Sequence, residues 1–145
     1  MFQRILIAWD GSHSAELALD VAIDLARRYD AELTAVSVAH SPAHAETAED
    51  RRESVDAARR YLEETFERVR DSSERVGVPL DLVVIPGDEP ADDLLHYAHQ
   101  GGFDLAVVGH HRTKTPGRFL LHGVAERLLA TADLPLLVVS NDRRR

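Results

Sequence analysis

Basic side chains are concentrated in one short segment of an otherwise acidic chain. The 145 residues include 17 Lys and Arg against 25 Asp and Glu, which gives a formal net charge of −8. Residues 110–123 contain no acid, and their basic candidates are His110, His111, Arg112, Lys114, Arg118 and His122. Arginine can bind phosphate through two parallel hydrogen bonds and lysine as a point charge. The segment therefore predicts an anion or nucleotide site; a solvated loop that balances an acidic surface is the alternative.

A second polar group, Asp10-Gly11-Ser12, directly follows the apolar run from Ile5 to Trp9. A carboxylate at Asp10 can accept hydrogen bonds from the amides of Gly11 and Ser12, or it can cap the helix that follows. Helix capping alone would explain the residue type at Asp10, and a ligand would explain it equally well. We expect Trp9 to be a core residue.

The histidines of the chain do not show the spacing of a metal site. His110, His111 and His122, with Asp10 and His13, offer side chains that suit zinc or nickel. Adjacent histidines on an extended segment point in opposite directions, however, and no helix carries two histidines four positions apart. Cysteine is absent, which excludes thiolate ligands, disulfides and cysteine nucleophiles. We expect no metal site.

Catalytic motifs are equally hard to find. Ser12 and Ser14 lie near His13 in the sequence, but no nucleophile elbow and no Walker loop occurs. We therefore expect no catalytic residue. An enzyme that acts on a phosphorylated small molecule stays open as an alternative.

Short apolar runs alternate with helical periods along the whole sequence. The runs predict strands at residues 5–9, 33–39, 82–85, 105–108 and 136–139, and the periods predict helices at 14–29, 50–76, 90–100 and 120–129. Strands that are apolar on both faces and separated by helices predict a parallel sheet covered on both sides. We expect one doubly wound α/β domain over residues 1–140, with a short polar tail at 141–145.

In doubly wound sheets, ligands bind outside the carboxyl ends of the strands, where the winding direction reverses. The candidate site residues are therefore the ones that end the predicted strands. They are Asp10-Gly11-Ser12, Val38-Ala39-His40, Pro86-Gly87-Asp88 and Gly109 with the segment after it.

Several segments agree in order and spacing with one known family. They are residues 5–14, residues 84–87 with Ala91, Leu94, Leu95 and Ala98, and residues 104–109, 123–128 and 135–139. In these segments the chain resembles the universal stress protein (UspA-like) family over nearly its whole length, apart from the middle loop and the long helix. The resemblance implies a Rossmann-like sheet of five parallel strands in the order 3-2-1-4-5. It also implies a homodimer formed through the last strand, which would otherwise leave an apolar sheet edge exposed.

Many members of that family bind ATP through a glycine pattern after the fourth strand. The pattern is Gly, two residues, Gly, nine residues, Gly, then Ser or Thr. Here Gly109 matches the first position, but Arg112, His122 and Gly123 occupy the other three. Glycine suits such positions because backbone N–H groups must approach phosphate closely. Two interpretations follow, one in which basic side chains replace the missing glycines and one in which nucleotide binding has been lost.

The first interpretation is a non-catalytic stress-signalling module that binds ATP, AMP or another adenine nucleotide, with Mg²⁺. The resemblance and the basic segment together assign the nucleotide to Asp10, Gly11, Ser12, Val38, Ala39, Gly109, Arg112, Lys114, His122, Gly123 and Val124. Ordinary strand core is the alternative for Val38 and Ala39. The second interpretation is a dimeric protein-interaction module without a nucleotide.

Charge and targeting features limit the other partners. The negative net charge opposes binding to nucleic acid and to anionic membranes, so we expect neither partner. Residues 1–4 lead directly into a predicted strand, without an apolar stretch typical of a signal peptide or a membrane span. We expect a cytoplasmic protein.

Overall fold

A computed structural model describes residues 1–40, 47–110 and 123–140 of the chain. Its strands and helices alternate strictly: β1 (Arg4–Ala8), α1 (His13–Tyr29), β2 (Glu32–His40), α2 (Ala48–Arg75), β3 (Leu80–Gly87), α3 (Pro90–Gln100), β4 (Leu105–His110), α4 (Val124–Thr131) and β5 (Leu136–Ser140). The predicted polar tail, residues 141–145, lies outside the described residues. All five strands and all four helices expected from the sequence are found, and residues 120–122 of the last predicted helix lie outside the described residues.

The five strands form one parallel sheet in the order β3-β2-β1-β4-β5. This is the order that the family resemblance implied. The winding direction reverses between β1 and β4, which pair from Ile5 with Leu105 to Ile7 with Val107. The carboxyl ends of β1 and β4 therefore meet at one edge of the sheet.

Each face of the sheet is covered by two helices and has its own apolar core. Alternate residues of β1 divide between the cores, with Ile5 and Ile7 in the first and Leu6 and Ala8 in the second. The first core includes residues of α1 and α2, and the second includes residues of α3 and α4. The apolar character of β1 on both faces follows from this double coverage.

Local chemistry sets the ends of the helices. The hydroxyl oxygen of Ser12 accepts the amide hydrogen of Ala15 at 3.2 Å at the start of α1. At the start of α2, the hydroxyl oxygen of Thr47 accepts the amide hydrogen of Asp50 at 3.0 Å. This helix therefore begins at Ala48, two residues before the predicted position. Pro90 opens α3, where the missing amide hydrogen costs nothing.

The strand β3 is longer than the apolar run predicted. It pairs with β2 from Leu33 opposite Leu80 to His40 opposite Gly87. Pro86 lies within it, which a strand at the edge of a sheet tolerates because one side of its backbone needs no hydrogen bond. Among the described residues, no helix is both long enough and apolar enough to span a lipid bilayer.

Candidate functional site

Asp10 is held at the carboxyl end of β1 by its own turn. Its side chain is 3% exposed, and its Oδ1 accepts the amide hydrogen of Ser12 at 2.9 Å. Ser12, whose hydroxyl oxygen accepts the amide of Ala15, is therefore the residue that caps α1. Asp10 Oδ2 is buried without a hydrogen-bond partner in the described part of the chain. It is a buried acceptor that the described residues leave unsatisfied.

The direction of Asp10 follows from the strand that precedes it. Trp9 extends the pairing of β1, because its amide donates to the carbonyl oxygen of Val36 at 2.9 Å, and its ring lies in the first core. Successive residues of a strand alternate between faces. Asp10 is therefore directed toward the second face, the one covered by α3 and α4. Buried Ser37, which sequence reasoning missed, strengthens this corner by donating its hydroxyl to the Trp9 carbonyl oxygen.

The two predicted glycines at this edge have structural reasons of their own. A Cβ on Gly109 would lie 2.9 Å from the Cβ of Ser14 and closer still to the Ser14 carbonyl, so only glycine lets β4 pass the first turn of α1. Gly11 has φ +79°, and a Cβ there would lie 3.0 Å from Thr65 Oγ1. Neither glycine needs a ligand to explain it.

Val38 and Ala39 are both buried, on opposite faces of β2. Val38 belongs to the second core, together with Ala91 of α3 and Val124 of α4. Ala39 belongs to the first core, beneath α1 and α2. Val38 is 1% exposed and Ala39 is 0% exposed, so both side chains are part of the strand core.

A cleft of about 650 Å³ opens on the second face between the starts of α3 and α4. Its walls are Glu89, Pro90, Ala91 and Asp92 on one side and Gly123, Val124 and Arg127 on the other. Both helices follow the carboxyl ends of their strands, so the cleft lies at the same sheet edge as Asp10 and Gly109. Gly123 and Val124 are predicted site residues. The sequence did not predict Arg127 or the wall residues at the start of α3 as part of the site.

Arg127 is the cation among the described residues that line this cleft. Its Nη2 lies 3.5 Å from Asp92 Oδ2, across the gap between α4 and α3. Asp93, one residue further along α3, accepts the amide hydrogen of Glu89 at 3.1 Å and does not line the cleft. Among the described wall residues, Glu89 and Asp92 outnumber Arg127, so this part of the cleft is slightly acidic.

Two histidines that end strands are paired with carboxylates at this edge. His110 Nε2 lies 2.7 Å from Glu126 Oε1, which joins the end of β4 to the first turn of α4. His40 Nδ1 lies 3.8 Å from Asp88 Oδ1, which joins the end of β2 to the turn after β3. No group of three His, Asp or Glu side chains that could hold a metal ion occurs in residues 1–40, 47–110 and 123–140.

The basic side chains expected to contact phosphate fall in residues 111–122. Arg112, Lys114 and His122 lie outside the described residues, and so does His111. Their assignment to a nucleotide stays a prediction. Trp9, by contrast, is confirmed as a core residue: it is buried and packs edge-on against Phe66, with ring centroids 5.9 Å apart.

Solved structures share this architecture. A universal stress protein from Burkholderia pseudomallei is 31% identical with a TM-score of 0.75, and the match covers 95% of this chain and 96% of that one. A universal stress protein in complex with cAMP, at 21% identity and a TM-score of 0.67, covers 97% and 99% of the two chains. One from Archaeoglobus fulgidus in complex with dAMP has 21% identity, a TM-score of 0.68 and coverage of 95% and 98%. At these identities the last two show the fold alone.

Sequence comparison leads to the same group of proteins. A universal stress protein of Methanocaldococcus jannaschii is 30% identical over 99% of this chain and 85% of its own length. The sequence profile described as the Universal stress protein family matches residues 1–140. With a match of that length, the chain belongs to the universal stress protein family.

Proposed function

We propose that this chain is a non-catalytic module that binds an adenine nucleotide, ATP or AMP, in the cleft between α3 and α4. The observation that carries the proposal is the cleft itself, whose volume of about 650 Å³ is typical of sites for small ligands. It lies at the sheet edge where doubly wound folds bind ligands. Two proteins of the same fold have been solved with cAMP and with dAMP, which supports this ligand class.

The cleft offers different chemistry to the different parts of a nucleotide. Ala91, Val124 and Val38 form one apolar cluster beneath it, a surface suited to a purine ring. Asp10 Oδ2 is a buried acceptor without a described partner, and a ribose hydroxyl could donate to it. The N-termini of α3 and α4 both open onto the cleft, and helix N-termini favour phosphate through their free amide hydrogens. Arg112, Lys114 and His122 are proposed as further phosphate ligands.

Magnesium is part of the proposal only together with ATP. It prefers carboxylate and phosphate oxygens and is usually held by one or two carboxylates plus the phosphates of the substrate. Asp10 fits that role, because its Oδ2 is a buried carboxylate oxygen with no partner among the described residues. The ion would supply charge neutralisation of the phosphate chain.

Isothermal calorimetry of the dialysed protein tests the proposal. ATP with and without Mg²⁺, AMP and cyclic AMP are titrated separately, and thermal stabilisation by each ligand is measured in parallel. Dissociation constants in the micromolar range for at least one of the four titrations would support it. No heat and no thermal stabilisation with any of them would refute it and would favour a dimeric interaction module without nucleotide.

We also propose that the protein forms a homodimer through β5. Within the part of the chain that the structure describes, this strand pairs with β4 on one side only, and Leu136, Leu137, Val138 and Val139 are partly exposed. Leu129 on α4 is 66% exposed. It lies two residues from Arg127, which faces α3, so it projects from the opposite flank of α4. A second copy of the chain would cover this apolar edge.

Sedimentation velocity at micromolar concentration tests the dimer, with the variant Leu129→Glu as the probe. We expect a dimer for the unmodified chain and a larger monomer fraction for the variant, because the variant places charge at the interface. Tyr61→Glu, at an exposed position of α2, is the matched control and should remain dimeric. A monomeric unmodified chain would contradict the proposal.

A role in stress signalling and a cytoplasmic location complete the proposal. Membership of the universal stress protein family supports the first. The absence of cysteine supports the second, since it is typical of proteins that need no disulfides.

A further inference from the structure

Arg127 and Asp92 form a single ion pair across the mouth of the cleft. The distance from Arg127 Nη2 to Asp92 Oδ2 is 3.5 Å, and the two side chains are 60% and 49% exposed. Ion pairs that are this exposed contribute little to stability, because water already solvates both charges. The pair can therefore open when a better partner for the guanidinium arrives.

A phosphate group is such a partner. It carries more charge than a carboxylate and can accept two parallel hydrogen bonds from a guanidinium group. Arg127 lies one turn from the N-terminus of α4, where its amide donates to the Gly123 carbonyl oxygen, and both residues line the cleft. Among the described residues that line the cleft, it is the one cation.

Asp92 opposes the same phosphate in two ways. It occupies the guanidinium of Arg127, and its own negative charge lies on the cleft wall. We propose that Arg127 is a phosphate-binding residue and that Asp92 competes with the ligand phosphate for its guanidinium group. The ion pair then sets how steeply the affinity of this cleft rises with the phosphate charge of the ligand. The inference rests on the proposed nucleotide site and concerns the selectivity of that site.

Calorimetry with ligands that differ only in phosphate charge separates this role from a structural one. Asp92→Asn keeps the size of the side chain and removes its charge. We expect it to tighten ATP binding about fivefold and AMP binding about twofold, and to leave adenosine within about 1.5-fold, since the electrostatic gain grows with ligand charge. Arg127→Gln should weaken ATP about fivefold and adenosine hardly at all, because it removes a charged partner of phosphate.

Asp93→Asn is the matched control. It removes the same charge from the same helix turn, outside the cleft wall, and its amide oxygen can still accept the amide hydrogen of Glu89. It should change each dissociation constant by less than about twofold, as expected for a partly exposed charge that does not line the cleft. A double variant completes the cycle. Asp92→Asn should improve ATP affinity less when Arg127 is already replaced by Gln than it does in the unmodified chain.

The outcomes distinguish this inference from the proposed function. If the unmodified chain binds nucleotides and Asp92→Asn binds ATP equally well, or improves adenosine as much as ATP, the inference fails and the proposed function stands. If neither the unmodified chain nor Asp92→Asn binds ATP, AMP or adenosine, the proposed function fails and the inference fails with it.

Discussion

The two faces of the sheet end differently at its carboxyl edge. On the face of α1 and α2, the Trp9 ring packs edge-on against Phe66, and Gly11 lies close to Thr65. On the face of α3 and α4, the corresponding space is a cleft of about 650 Å³ whose walls include Ala91 and Gly123. Aromatic rings fill the first face to the edge, whereas on the second face the described residues leave a cleft that is lined partly by small residues.

If a nucleotide binds as proposed, this difference lets one strand serve stability and binding together. Trp9 and Asp10 are neighbours at the end of β1, and alternation along the strand directs them to opposite faces. The tryptophan completes a core, and the carboxylate is directed to the side where space remains. Substitutions on the closed face should therefore alter stability, and substitutions on the open face should alter ligand binding.

The largest effect is expected from opening the closed face. Phe66→Ala removes a fully buried ring that supports Trp9, and it should lower the free energy of unfolding by about 3–5 kcal/mol. Guanidinium denaturation measures this value. Tyr61→Ala, an exposed aromatic on the same helix, is the control and should cost less than about 0.5 kcal/mol. Equal losses of unfolding free energy for the two variants would contradict the claim that the first face is tightly packed at this edge.

Gly109→Ala tests the contact between β4 and α1 that both faces depend on. The added Cβ would lie 2.9 Å from the Ser14 Cβ, so backbone must move. We expect a loss of about 1–3 kcal/mol in the free energy of unfolding, as for other overpacked sites. A denaturation midpoint identical to that of the unmodified chain would show that this contact is not tight.

Filling the open face should affect binding more than folding. Ala91 lines the cleft at the start of α3, and Ala91→Leu extends a larger side chain into the space that a purine would occupy. We expect ATP affinity to fall at least about tenfold, which is about 1.4 kcal/mol. The melting temperature serves as the check on folding, because Ala91 is only 5% exposed and a larger side chain there can also strain the second core. Unaltered ATP affinity in a folded variant would place the ligand elsewhere.

The smallest expected effect concerns Asp10. Asp10→Asn keeps an oxygen for the Ser12 amide and removes the charge of the buried carboxylate. We expect ATP affinity to fall about fivefold, roughly 1 kcal/mol, because the ribose hydroxyl, or the Mg²⁺ bound together with ATP, loses an anionic partner. Calorimetry measures the change, with Asp20→Asn on exposed α1 surface as the control. Equal affinities for the two variants would exclude Asp10 from the site.

Sequence reasoning predicted the elements well because their signals are local. Apolar runs located every strand, three of them ended by Asp10, Pro86 or Gly109, and the strand-end rule brought Asp10 and Gly109 to one edge. The errors are local too: Thr47 caps α2 earlier than the apolar stripe suggested, and pairing with β2 extends β3 back to Leu80. The strand order came from the family resemblance, since alternation alone fits more than one winding.

Only some of the residues that line the cleft could be predicted from the sequence. Gly123 and Val124 were found through the family pattern, but Glu89, Asp92 and Arg127 carry no motif, and their proximity arises only when α3 and α4 pack side by side. One signal could have found them: each of the two helices follows, in the chain, a strand that ends at the same sheet edge. The structural reasons for Gly11 and Gly109 were likewise invisible, because they depend on contacts with Thr65 and Ser14 across the fold.

The central claim is that an adenine nucleotide binds on the open face, between α3 and α4. Amide chemical shifts followed by NMR during a titration with AMP test it most directly. We predict the largest changes at Ala91, Asp92, Gly123 and Val124, with little change at Thr65 and Phe66 on the closed face. Changes centred on α2, or no changes at millimolar AMP, would contradict the claim.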